Sequence, residues 1–150
     1  MLWLHPVFQG LTTLLGLYVL ALGAKRFLAV HLGRDARFDR KRHVRLGRMV
    51  LSQWVLGLAG GLTATRLAVW LTATRLAVSE VLVTGWHWKI ALVMLPLIVV
   101  GAWSGSVLNK VKRKRRALAL LHAVNNLLLL CLALVQAWTG ALLFEVWRSL

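Results

Sequence analysis

Four long apolar runs, separated by short blocks in which almost every charge is basic, constrain this chain more than any other feature of its sequence. The runs cover about 6–24, 49–69, 86–108 and 117–146. Each approaches or exceeds the roughly 20 residues that a helix needs to cross a bilayer. Lipid offers no partner to irregular backbone, so all four read as helices. The fold class that follows is all-α, an integral-membrane, up-down four-helix bundle forming one domain over 1–150. Composition agrees: charged residues make up 15% of the chain and mean hydropathy is +0.72, whereas a soluble domain carries roughly a quarter charged residues.

The basic residues set an orientation. Nine lie in the loop 25–48 and six in 109–116, and only Arg66, Arg75, Lys89 and Arg148 lie on the other side. Fifteen against four is a strong positive-inside bias. The two basic loops are therefore expected in the cytoplasm, and both termini outside (N-out/C-out). A net charge of +15 would suggest nucleic acid in a soluble chain. Confined to loop blocks, it reads instead as a topology signal and as attraction to anionic lipid headgroups, so no nucleic-acid partner is expected. The membrane expected is the cell inner (cytoplasmic) membrane or an equivalent energy-transducing one. Lys25 and Arg26 follow the first apolar run instead of preceding it, which argues against a cleavable signal. Cys131, the single cysteine, lies inside an apolar run and permits neither an internal disulfide nor a covalent CxxCH haem site.

Several smaller features have structural readings. Leu62–Val69 recurs at Leu71–Val78, an offset of nine residues or two and a half turns, so the copies would face opposite sides of one helix. A duplication lengthening the outer end of helix two is the simpler reading. Trp86, Trp88 and Trp147 sit where an interfacial aromatic belt belongs. Gly101 and Gly105 in helix three, with Gly57, Gly60 and Gly61 in helix two, allow close helix approach or leave room for a flat cofactor. Gln53, Asn126 and Gln136 suit bonds between helices, and Glu145 suits a pair with Arg148.

The histidines carry the functional expectation. His5 and His87 lie at the outer ends of helices one and three, while His43, just before helix two, and His122, in helix four, lie at the inner side. Alternate helices of an up-down bundle can sit diagonally, so each same-level pair can grip something from two sides. Haem b suits this geometry, because neutral imidazole is a common axial ligand and an apolar macrocycle suits Leu and Val surroundings. Arg42, Arg45, Arg48 and Lys112 would serve propionates at the inner site, Lys89 at the outer site, and Asn125 would orient His122 or a propionate. Two haems are expected, with one or none as the alternatives. His5 precedes Pro6 and also suits an N-cap. His31 is spare, a surface or subunit contact, or a replacement for His43. No hydrolytic triad, HExxH or phosphate loop is present.

His5-Pro6, the segment Arg42–Gly47 (RHVRLG), Trp86-His87-Trp88 and Leu121-His122 together resemble the cytochrome b561 superfamily, and a small four-helix bacterial and plastid family related to that fold. The resemblance covers most of the chain through short motifs. It implies two bis-histidine b haems, one on His5 with His87 and one on His43 with His122. The flanking helices of six-helix members are missing and no ascorbate-binding motif is evident, so donor and acceptor do not carry over. The expected function is transmembrane electron transfer, alone or in a larger respiratory or photosynthetic complex, with a quinone or quinol as a candidate partner. The competing expectation is a cofactor-free structural or assembly subunit. A transporter is disfavoured, since the spans lack the buried charges that mark an ion path.

Overall fold

In the computed structural model the chain forms four helices, α1 (Leu4–His31), α2 (Arg40–Thr72), α3 (Val78–Lys110) and α4 (Arg116–Ser149). The structure describes residues 4–35, 37–72, 78–110 and 115–149, with backbone alone at 30–31, 64–72, 78–84 and 143–149. Lys112, most of the second repeat copy, and the side chains of His31, Arg66, Glu145, Trp147 and Arg148 lie outside the described residues.

The helices outrun the apolar segments. α2 begins at Arg40 because Asp39 caps it, one carboxylate oxygen accepting the Arg42 N–H at 3.0 Å. His43 therefore lies within the first turn of α2 and not ahead of it. α1 stops at Gly33, whose φ of 63° lets the chain fold back, so that the Arg34 N–H donates to the Leu28 carbonyl at 3.2 Å.

Helix packing is cyclic. α1 packs against α2 and α4, and α3 against α2 and α4, while among the described residues the backbones of α1 and α3, and of α2 and α4, do not approach closely. The bundle is thus a square with α1 diagonal to α3 and α2 diagonal to α4. Each helix turns one stripe to the centre, and the stripe follows a common spacing. Counting from the histidine, positions +7 and +11 are buried in all four helices: Thr12 and Gly16, Val50 and Trp54, Met94 and Ile98, Leu129 and Ala133. These spacings are about two and three turns, which keeps the residues on one face. The apolar members, with Leu130, form the core at mid-bundle.

The outside is as apolar as the inside. Among the described residues, large hydrophobics such as Leu11 (63% exposed), Leu56 (64%), Val99 (66%) and Trp138 (69%) point outward. A soluble bundle keeps its outer face polar. Here α1, α3 and α4 contain spans long and apolar enough to cross a membrane, Leu4–Ala29, Gly85–Lys110 and Arg116–Leu142, the pattern of a multi-pass membrane protein. α2 is the least apolar of the four, its stretch after Arg48 being diluted by Ser52, Gln53, Thr63 and three glycines.

Candidate functional site: two histidine pairs

The diagonal packing brings the four histidines together in pairs. His43 of α2 and His122 of α4 face each other across the bundle with ring centroids 6.4 Å apart and planes at 77°. At the opposite end, His5 of α1 and His87 of α3 lie within electrostatic reach of each other. All four rings are partly buried.

Sequence reasoning named Gly61 and Gly105 as room for a flat cofactor but missed the pattern to which they belong. Eighteen residues after each histidine stands a glycine: Gly23, Gly61, Gly105 and Gly140. Eighteen residues are five helical turns, so each glycine shares its histidine's face about 27 Å further along. The antiparallel packing then sets every glycine against the histidine of a neighbouring helix. A Cβ at Gly23 would stand 3.1 Å from Cε1 of His43, at Gly105 3.1 Å from Cε1 of His122, at Gly61 2.9 Å from Cε1 of His5, and at Gly140 3.4 Å from Cε1 of His87. Each site is therefore two imidazoles on one diagonal and two glycines on the other. The remaining glycines of the sequence pattern divide as well. Gly57 receives the Gln9 amide and Gly101 receives Asn125 and Asn126, whereas Gly60 faces open space.

Hydrogen bonds select the tautomer of three rings. Nδ1 of His43 lies 3.2 Å from the Val19 carbonyl, which only accepts, so Nδ1 carries the proton. Nδ1 of His122 lies 2.8 Å from Ser104 Oγ, whose own hydrogen goes to the Val100 carbonyl at 2.6 Å. Ser104 therefore accepts from Nδ1. Asn126 Nδ2, one of whose two hydrogens goes to the His122 carbonyl at 2.7 Å, is also 3.2 Å from that nitrogen, which beside a protonated Nδ1 is a contact between two donors. Nδ1 of His87 lies 2.9 Å from Thr139 Oγ1, which donates to the Val135 carbonyl at 3.1 Å. In each case Nε2 keeps a free lone pair, the arrangement found where a histidine ligates a metal through Nε2 and is oriented through Nδ1. Burial pushes His43, which precedes the apolar stretch of α2, below the usual histidine range; the Val19 bond opposes this and the Arg26 charge adds to it. A neutral ring is the ligating form.

The inner pair has the centroid separation that two imidazoles need to share one metal. Metal–imidazole bonds are about 2 Å and a ring nitrogen lies about 1.1 Å from its centroid, so two imidazoles on opposite sides of one metal have centroids roughly 6.3 Å apart. The 6.4 Å separation of His43 and His122 matches that value. Among the described residues no three His, Cys, Asp or Glu side chains converge on a metal position.

The polar residues expected around the sites fall differently. Asn125 is buried, but its amide donates to the Leu97 carbonyl of α3 at 2.9 Å, and Asn126, a full turn from His122, takes the place beside the ring. Arg45 and Arg48 follow His43 by two and five residues, which turns them about 140–200° around α2, away from the ring, and both are exposed. Arg42 stacks on Tyr18, 5.2 Å from its ring centroid. Lys89, two residues after His87, is exposed and sits 5.3 Å over Trp86, an interfacial cation–π pair on the outer face of α3. Among the described residues, Arg26 of α1 acts electrostatically on His43 and lies 5.4 Å over Phe38, itself 5.4 Å from the His43 ring. No protein-family model matches the chain, and neither a curated protein nor a solved structure shows significant similarity to it.

Proposed function

We propose that the chain is a membrane electron-transfer cytochrome that holds two b-type haems, one between His5 and His87 and one between His43 and His122. The observation that carries this reading is the inner pair. Two Nδ1-anchored imidazoles oppose each other at 6.4 Å, with a glycine of each adjacent helix beside them. Recurrence of the His–glycine face at the other end extends the reading to a second site.

In this proposal haem b supplies a reversible one-electron couple whose potential depends on its axial ligands and on burial. The residues of the chain do the rest. Ser104, Thr139 and the Val19 carbonyl hold the ligand nitrogens in register, and the glycines leave the ligand plane open. Arg26 places a positive charge beside the inner site, suited to a propionate. Val50, Trp54, Met94, Ile98 and Leu129 keep water out of the space between the two levels. α2 serves as the fourth span over about 49–69, flanked by α1 and α3. The positive-inside bias puts His43 and His122 at the cytoplasmic face and His5 and His87 outside. A donor such as a quinol would meet one face and an acceptor the other, within a larger redox complex or alone.

The test is a reduced-minus-oxidised spectrum with haem quantitation on the purified chain produced with haem supplied. The expected result is two b haems per chain, falling to one in His5→Ala and to one in His122→Ala. A folded, helical preparation with no absorbance in the b-haem α region would sink the proposal and leave a structural subunit.

A further inference from the structure

The face of α2 opposite His43 has its own chemistry. Lys41, Arg45 and Arg48 stand at i, i+4 and i+7 on that face, all exposed. They line an open groove of about 720 Å³ beside the C-terminal end of α3, together with Phe38, Val44 and Asn109. Arg40 fixes the groove's shape by clamping Asn109, its Nε and Nη2 donating to Oδ1 at 3.2 and 2.9 Å and Nη2 also to the backbone carbonyl. Asp39 is the only acidic residue in the lining, and it is engaged as the α2 cap.

The position of the groove identifies the anion. The apolar span of α3 ends at Lys110, next to Asn109, so the groove lies at the level where a membrane's headgroups begin. Towards the bilayer centre the same face of α2 continues as exposed Val55, Leu56 and Ala59. Cations at headgroup level above an apolar track fit a phospholipid, phosphate in the groove and an acyl chain along the helix. We propose that this groove is a binding site for one anionic phospholipid, with Lys41, Arg45 and Arg48 holding its phosphate. The proposal does not rest on the haem reading, although Phe38 of the lining also lies 5.4 Å from the His43 ring.

Native mass spectrometry of the detergent-purified full chain, titrated with phosphatidylglycerol or with phosphatidylcholine of the same acyl chains, tests it. The expected result is retention of one phosphatidylglycerol per chain in preference to phosphatidylcholine. Three cations near a lipid surface together account for roughly a hundredfold in affinity, so K41Q/R45Q/R48Q should lower it by at least about tenfold. R34Q/R37Q/R115Q, which removes the same charge elsewhere, should leave it unchanged. Equal loss in both variants would reduce the effect to net charge and overturn the site, as would phosphatidylcholine binding equally well. Displacement of the lipid by millimolar inorganic phosphate would assign the groove to a free anion instead. Circular dichroism confirms that each variant is helical.

Discussion

Gly105 offers the sharpest test of the paired-histidine architecture. An alanine Cβ there would stand 3.1 Å from Cε1 of His122, whereas carbon atoms rest at about 3.5–4.0 Å. The ring must retreat by roughly 0.4–0.9 Å. Its anchor, Ser104 Oγ at 2.8 Å, is on the residue next to the substitution, so retreat stretches that bond towards about 3.2–3.7 Å. Losing the bond costs about 0.5–1.5 kcal/mol and overpacking about 1–3 kcal/mol. Replacing a helical glycine by alanine returns about 0.5–1 kcal/mol. Gly105→Ala should therefore be destabilising by about 0.5–4 kcal/mol and loosen the inner site. Gly105→Val, whose γ-carbons overlap the ring, should lose one haem of two. Two controls set the scale: Gly140→Ala meets His87 at an ordinary 3.4 Å and Gly10→Ala meets nothing within 4 Å. Both should keep two haems, and Gly10→Ala should melt no lower than wild type. Haem stoichiometry and thermal melting in detergent read all four variants. If Gly105→Val keeps two haems and the wild-type melting point, the glycine does not belong to a ligand site.

Ser104→Ala removes the acceptor that fixes the His122 tautomer while leaving the imidazole in place. It should lower inner-site haem affinity by about 10–100-fold and shift one of two midpoint potentials. Ser104→Thr should restore both, and two unmoved potentials would show that Ser104 only packs. Orientation is open to cysteine labelling on a Cys131→Ala background. A cysteine at Arg37 should react with a membrane-impermeant maleimide only in inverted vesicles and one at Leu4 only in right-side-out cells, and the reverse pattern would invert the topology.

The helices were legible because hydrophobicity and the demand for satisfied backbone act locally. Their ends were less so, since Asp39 extends α2 back to Arg40 by a cap that hydropathy does not register. The same-level histidine pairs followed from topology alone. Their surroundings did not: Lys89, Arg45 and Arg48 are near His87 and His43 in sequence, yet helical rotation turns them outward. Arg26 is distant in sequence from His43, and packing brings its charge to bear on that ring.

The spacing of eighteen residues from histidine to glycine is written four times in the sequence. Sequence alone determined four apolar helices, a basic side and at least one histidine towards an end of each helix, because each property depends on a residue's own chemistry or on 3.6-residue periodicity. It did not determine which four of the twelve glycines matter. That choice belongs to the tertiary structure. Only cyclic, antiparallel packing sets α1 opposite α3 and α2 opposite α4, and slides each glycine to the level of a neighbour's imidazole. Contact between helices depends on register and crossing order, which no single helix encodes.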